Sequence, residues 1–73
     1  MPSQLDRVLA DLGVSLRAAR LEAGLSQEEL SLRTGVHRNY IGGVERGERS
    51  PTVETIAKLA EALNVPLAEL FRK

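Results

Sequence analysis

A chain of 73 residues with a formal net charge of zero and no cysteine is one small domain, residues 1–73, without disulfide staples. Such a chain buries only about 60 % of its unfolded surface, so association with a second copy is the cheapest remaining source of stability. No apolar run reaches the length of a membrane span and no signal-peptide core is present, which argues against a membrane protein and for a reducing cytoplasm.

Met1 to Gln4 is expected to fray. From Leu5 the apolar residues Leu5, Leu9, Leu12, Leu16 and Ala19 follow at helical spacing, the stripe of a first helix. Gly24 stops it, with apolar Leu25 behind. Gly13 lies inside this helix at a cost of about 1 kcal/mol relative to alanine, and marks either a bend or a close contact. Arg20 falls beside the stripe rather than opposite it. It either snorkels to solvent or enters a partly buried ion pair.

The stretch Ser26 to Gly47, SQEELSLRTGVHRNYIGGVERG, organises the chain. Ser26 and Glu29 have the spacing of a capping box, which starts a second helix. Leu30 and Thr34 share one face of it. Gly35 is the left-handed stop, and Val36 is the apolar contact that follows. Ile41 and Val44 are the inner stripe of a third helix, closed by Gly47. Helix, tight turn and helix over about residues 26–47 make a helix-turn-helix. His37, Arg38, Asn39 and Tyr40 then face outward, two forked polar groups beside two rings, an inventory suited to base edges and phosphates in a major groove. Gln27 and Ser26 stand on the free N–H groups that begin the second helix, where an anion is favoured. Arg46 and Arg49 suit backbone phosphates. Residues 31–50 carry four arginines against two glutamates, so the positive end of the chain coincides with this segment.

A polar connection at Glu48–Pro51 leads to a fourth helix capped by Ser50 or Thr52. Val53, Ile56, Ala57, Leu59, Ala60 and Leu63 form its wide apolar face, and Asn64 is its left-handed stop. Val65-Pro66 opens a short last helix from Leu67 to about Arg72. Leu70 points inward, while Val65, Leu67 and Phe71 face a second copy, making residues 66–72 a dimerisation helix. The expected fold is all-α, with five helices and no strand.

No chemistry for catalysis is visible. There is no cysteine nucleophile and no glycine-rich phosphate loop, and the single histidine has no carboxylate at dyad spacing. A lone histidine makes no metal site, so neither metal nor cofactor is expected.

LGVSLRAARLEAGLSQEELSLRTGV followed by IGGVERGERSPTVETIAKLAEALNVPLAELF closely resembles the phage-repressor and Cro-like helix-turn-helix family. Within it, the small size and the run HRNYI followed by ERGER resemble the controller proteins of restriction–modification systems. Similar short regulators serve phages, mobile elements and toxin–antitoxin pairs. The resemblance implies a five-helix repressor-like domain whose second and third helices bind double-stranded DNA. It implies a homodimer on a pseudo-palindromic operator and regulation of transcription, often of the protein's own gene, with RNA polymerase a candidate partner. Arg38 and Asn39 match the family's base-reading positions, Gln27 its phosphate contact, and Arg20 with Glu45 an internal salt bridge. The sequence departs from the family at Gly42 and Gly43, where larger polar residues are usual. These glycines permit a close approach either to the DNA backbone or to a neighbouring helix. The rival reading is a phage-type repressor or an antitoxin-like module whose main partner is another protein.

Overall fold

The computed structural model describes residues 1–71. Four α-helices, α1 (Gln4–Glu22), α2 (Gln27–Thr34), α3 (Arg38–Glu45) and α4 (Val53–Ala62), precede a 3-10 turn, Leu67–Phe71. No strand occurs among the described residues.

The amino terminus is capped rather than frayed. The Ser3 hydroxyl accepts from the Asp6 N–H at 3.0 Å, and the Ser3 N–H donates to the Asp6 carboxylate at 3.1 Å. This is the same reciprocal box that Ser26 and Glu29 form at the start of α2. Helix ends are as consistent as the starts. Gly24, Gly35 and Gly47 are left-handed, and Asn64 takes the same role at φ 57°. At Gly35, φ 79° lets the chain reverse after only eight residues of α2. The Thr34 hydroxyl bridges the turn by donating to Leu30 O and accepting from Val36 N.

The helical stripes meet in one core of Leu12, Leu16, Leu25, Leu30, Ile41, Val44, Ile56, Leu59, Ala60, Leu63 and Leu70. Here α3 packs on both α1 and α2, while α2 packs on α4 and the 3-10 turn closes α1 and α4. Gly13 marks a close contact: a Cβ there would overlap the Glu45 carbonyl oxygen and lie 2.6 Å from that of Val44. Helix α1 thus seats directly on the backbone at the end of α3, and sets that helix's height.

Two expectations about breadth were too generous. Leu5 is exposed with the rest of Gln4–Val8, so the described residues leave the first turns of α1 uncovered. Val53 and Ala57 of α4 also face out, leaving Ile56, Leu59, Ala60 and Leu63 as its inner stripe. The fifth helix is the 3-10 turn instead of an α-helix, with the Glu69 N–H donating to Pro66 O at 3.0 Å. A piece this short cannot offset the cost of an α-helical nucleus. Its expected end at Arg72 lies outside the described residues. Leu70 is buried as expected, whereas Leu67 and Phe71 are 36 % and 45 % exposed, and Val65 packs partly on the core.

Candidate nucleic-acid interface

Ile41 and Val44 bury the inner side of α3 completely, which leaves its first turn outward. His37, Arg38 and Asn39 are exposed and Tyr40 is half-buried. His37 is itself the N-cap: its Nδ1 accepts from the Asn39 N–H at 3.0 Å. An accepting Nδ1 puts the ring proton on Nε2, so the imidazole offers a donor on its far side. Arg38 is drawn towards α2, with Nη1 2.5 Å from Glu28 Oε1.

Behind this turn, α3 is anchored by a charge network. The Arg20 Nε and Nη2 donate to Glu45 Oε2 and Oε1 at 2.6 and 2.9 Å, and its Nη1 donates to Leu25 O at 2.9 Å. Gln27 adds a third donor to Glu45, at 3.0 Å. The two charged side chains are 9 % and 4 % exposed, and no buried side-chain polar atom among the described residues lacks a partner. Glu45's hydrogen bond holds the Arg20 guanidinium above its ordinary range, against the opposing effect of burial. Arg20 therefore does not snorkel. It ties α1 to the end of α3 and to the loop before α2.

Ser26 is committed to its box, its N–H to Glu29 and its hydroxyl oxygen to the Glu29 N–H. Gln27 gives one of its two carboxamide N–H groups to Glu45, and an anion at the start of α2 would also meet the outward backbone N–H groups of that first turn. Arg46 is exposed and pairs with Glu48 at 3.1 Å. Arg49 turns back over α3, its guanidinium carbon 5.5 Å from the centre of the Tyr40 ring.

Of the two accounts left open for the glycines, the close approach to a neighbouring helix is seen at Gly42, which lies against Gln27 of α2, while Gly43 lies against the loop that follows α3. Both are buried under polar side chains. A Cβ on Gly42 would meet the Arg46 Nη1 at 3.0 Å and the Gln27 carboxamide at 3.4 Å, and one on Gly43 would meet Arg49 Cγ at 2.6 Å. Space vacated on the helix is filled by side chains from α2 and from the following loop. A shallow cleft of about 210 Å³ remains between the helices, lined by Arg17, Arg20, Gln27, Gly42, Glu45 and Arg46. Arg17 and Glu28 belong to this surface and were not singled out from the sequence. Arg17 lies one helical turn before Arg20, which is the signal that places it.

A Helix-turn-helix family model matches residues 16–70, taking in α2, α3, α4 and most of the 3-10 turn. The chain belongs to this helix-turn-helix family of DNA-binding transcription regulators. It is 44 % identical over 62 residues to control protein C.SmaI of Serratia marcescens, covering 85 % of this chain and 74 % of that protein. It is also 44 % identical over 55 residues to the CTXphi transcriptional repressor RstR of Vibrio cholerae, spanning 75 % of this chain and half of RstR. Among solved structures, the restriction-modification controller protein C.AhdI of Aeromonas hydrophila superposes with a TM-score of 0.83 at 48 % identity, covering 86 % of this chain and 96 % of that one. The likeness to controller proteins therefore holds in sequence and in shape. No helix among the described residues is long and apolar enough to cross a membrane, and those residues hold no cluster of His, Cys, Asp or Glu suited to a metal ion.

Proposed function

We propose that this regulator acts as a homodimer on a pseudo-palindromic operator and controls transcription of its own gene as a restriction–modification controller. The observation that carries the reading is the exposed first turn of α3, held rigid from behind by the Arg20–Glu45–Gln27 network. A rigid outward turn is what base readout requires, because loose side chains lose discrimination to disorder. Arg38 and Asn39 read base edges, with His37 Nε2–H and the Tyr40 ring beside them. Phosphates are met by Arg46, Arg49 and the start of α2 at Ser26 and Gln27.

Two copies would set their recognition helices in successive major grooves about 34 Å apart. The exposed Leu67 and Phe71, with Val65 on the rim of an open groove of about 690 Å³ that also holds Val14, Ala18 and Ala19, form the surface for the second copy. RNA polymerase is the partner that such a regulator would engage when it activates.

The test is a gel shift on the DNA upstream of the protein's own gene, with wild type beside Arg38→Ala at two salt concentrations. The expected result is a discrete wild-type complex that Arg38→Ala loses while non-specific binding persists. No specific complex at either salt would direct the search to a protein partner.

A further inference from the structure

We infer that Glu28 is a specificity-determining residue, which aims Arg38 at its base edge and repels phosphates that Arg38 would otherwise capture. This rests on α3 being the groove-facing helix.

The acidic groups around this surface have different employment. Glu29 closes the Ser26 box, Glu45 is buried against Arg20 and Gln27, and Glu48 pairs with Arg46. Glu28 pairs with Arg38 itself, across the turn of the motif and ten residues away in sequence. Both side chains are about 60 % exposed, at 60 % and 59 %, and an exposed pair contributes little to stability. A carboxylate in the first turn of α2 suits the helix dipole, but Glu29 already serves that end, so folding gives little account of one paired with α3 in the middle of a surface meant for DNA.

Recognition gives one. The guanidinium has five N–H donors in one plane. With Nη1 held by Glu28, Nε and Nη2 remain as a two-donor fork on the other edge of the guanidinium, the arrangement that two acceptors on a guanine edge require. An arginine already held loses less rotamer freedom on binding. The same negative charge opposes a phosphate at that place, lowering affinity for every sequence without the matching base. A chain of zero net charge gains its selectivity this way, by weakening the non-specific state.

The probes are duplexes that wild type enriches from a pool with a randomised core, and a scrambled duplex of the same length. Wild type, Glu28→Gln, Arg38→Ala and the double variant are titrated on both at two salt concentrations. Glu28 is outside the core and makes neither bond of the Ser26–Glu29 box, so Glu28→Gln should keep its circular dichroism and lower the unfolding midpoint only slightly, through the lost charge in the first turn of α2. That variant should bind the scrambled duplex more tightly, and its ratio of specific to non-specific affinity should fall about five- to tenfold. The loss should be confined to the base pair that Arg38→Ala also stops reading, and Glu28→Gln should add nothing in the Arg38→Ala background. A ratio within about twofold of wild type, or an equal loss in both backgrounds, overturns the inference and leaves the regulator reading standing. A wild type that enriches no sequence overturns the operator reading, and this inference falls with it.

Discussion

Glu45 accepts hydrogen bonds from three side-chain N–H groups while its carboxylate is almost wholly out of water. Such a group is stable only while its partners are present. Removing either side, as in Arg20→Ala or Glu45→Ala, should therefore cost about 3–5 kcal/mol in urea unfolding, whereas replacing both by leucine or methionine should recover most of the loss. An acid-sensitive contact of another kind lies at the start of α2. The Ser26 backbone N–H and then its side chain hold the Glu29 carboxyl below its ordinary 4.5. A carboxyl with a depressed folded value contributes stability above its ordinary value, lost as pH falls through the folded one. The start of α2 should accordingly loosen below about pH 4.5, seen as a falling exchange protection factor at the Ser26 amide, whose N–H the carboxylate holds, and Glu29→Gln should abolish that fall. A wild-type Ser26 protection factor that stays constant over this window would refute the assignment.

At the scale of the element, two glycines of one residue type make opposite demands. Gly13 faces backbone carbonyls that cannot yield, while Gly42 faces the far end of the Arg46 side chain. Gly13→Ala should destabilise by about 1–3 kcal/mol, since overlap with α3 outweighs the gain in helix propensity. Gly42→Ala should be neutral or stabilising by up to about 1 kcal/mol, with the Arg46 guanidinium displaced. Thermal unfolding of the two variants together decides it, and a Gly13→Ala as stable as wild type would show that α1 can lift. These contrasts also show what was legible in the sequence. The Ser26 box, the left-handed stops and the Arg20–Glu45 pair follow from local spacing, or from resemblance, and the structure holds all of them. Ser3 and Asp6 carry the same cap spacing, but Ser3 falls in the terminal stretch where fraying is the ordinary expectation. Val53 and Ala57 satisfied helical periodicity yet face solvent, because periodicity gives a face and not how much of it a neighbour covers. Contacts such as Glu28 with Arg38 and Arg49 with Tyr40 depend on how two short helices and a loop cross. Spacing along the chain carries no trace of that.

At the scale of the whole molecule, the proposed dimer and the neutral charge bear on the same experiment. Each protomer brings two arginines proposed to meet phosphates, Arg46 and Arg49, of which Arg46 is already shared with Glu48. A dimer thus neutralises about four phosphates, giving log affinity against log salt a slope of about −4, shallow for an operator-binding protein. Arg49→Ala should flatten that slope by about two units per dimer and weaken all sequences alike, while Arg38→Ala should change sequence preference and leave the slope nearly intact. Phe71→Ala acts differently again. The ring is 45 % exposed in the monomer, so the core should survive its loss. Sedimentation should show fewer dimers, and the unfolding midpoint should lose the rise with protein concentration expected of wild type. Operator binding would then fall without any change in base preference, because two half-sites are no longer joined. If wild type sediments as a monomer and its midpoint ignores concentration, the surface around Val65, Leu67 and Phe71 has another occupant. A single α3 would then have to find its site alone, with half the phosphate contacts and half the slope.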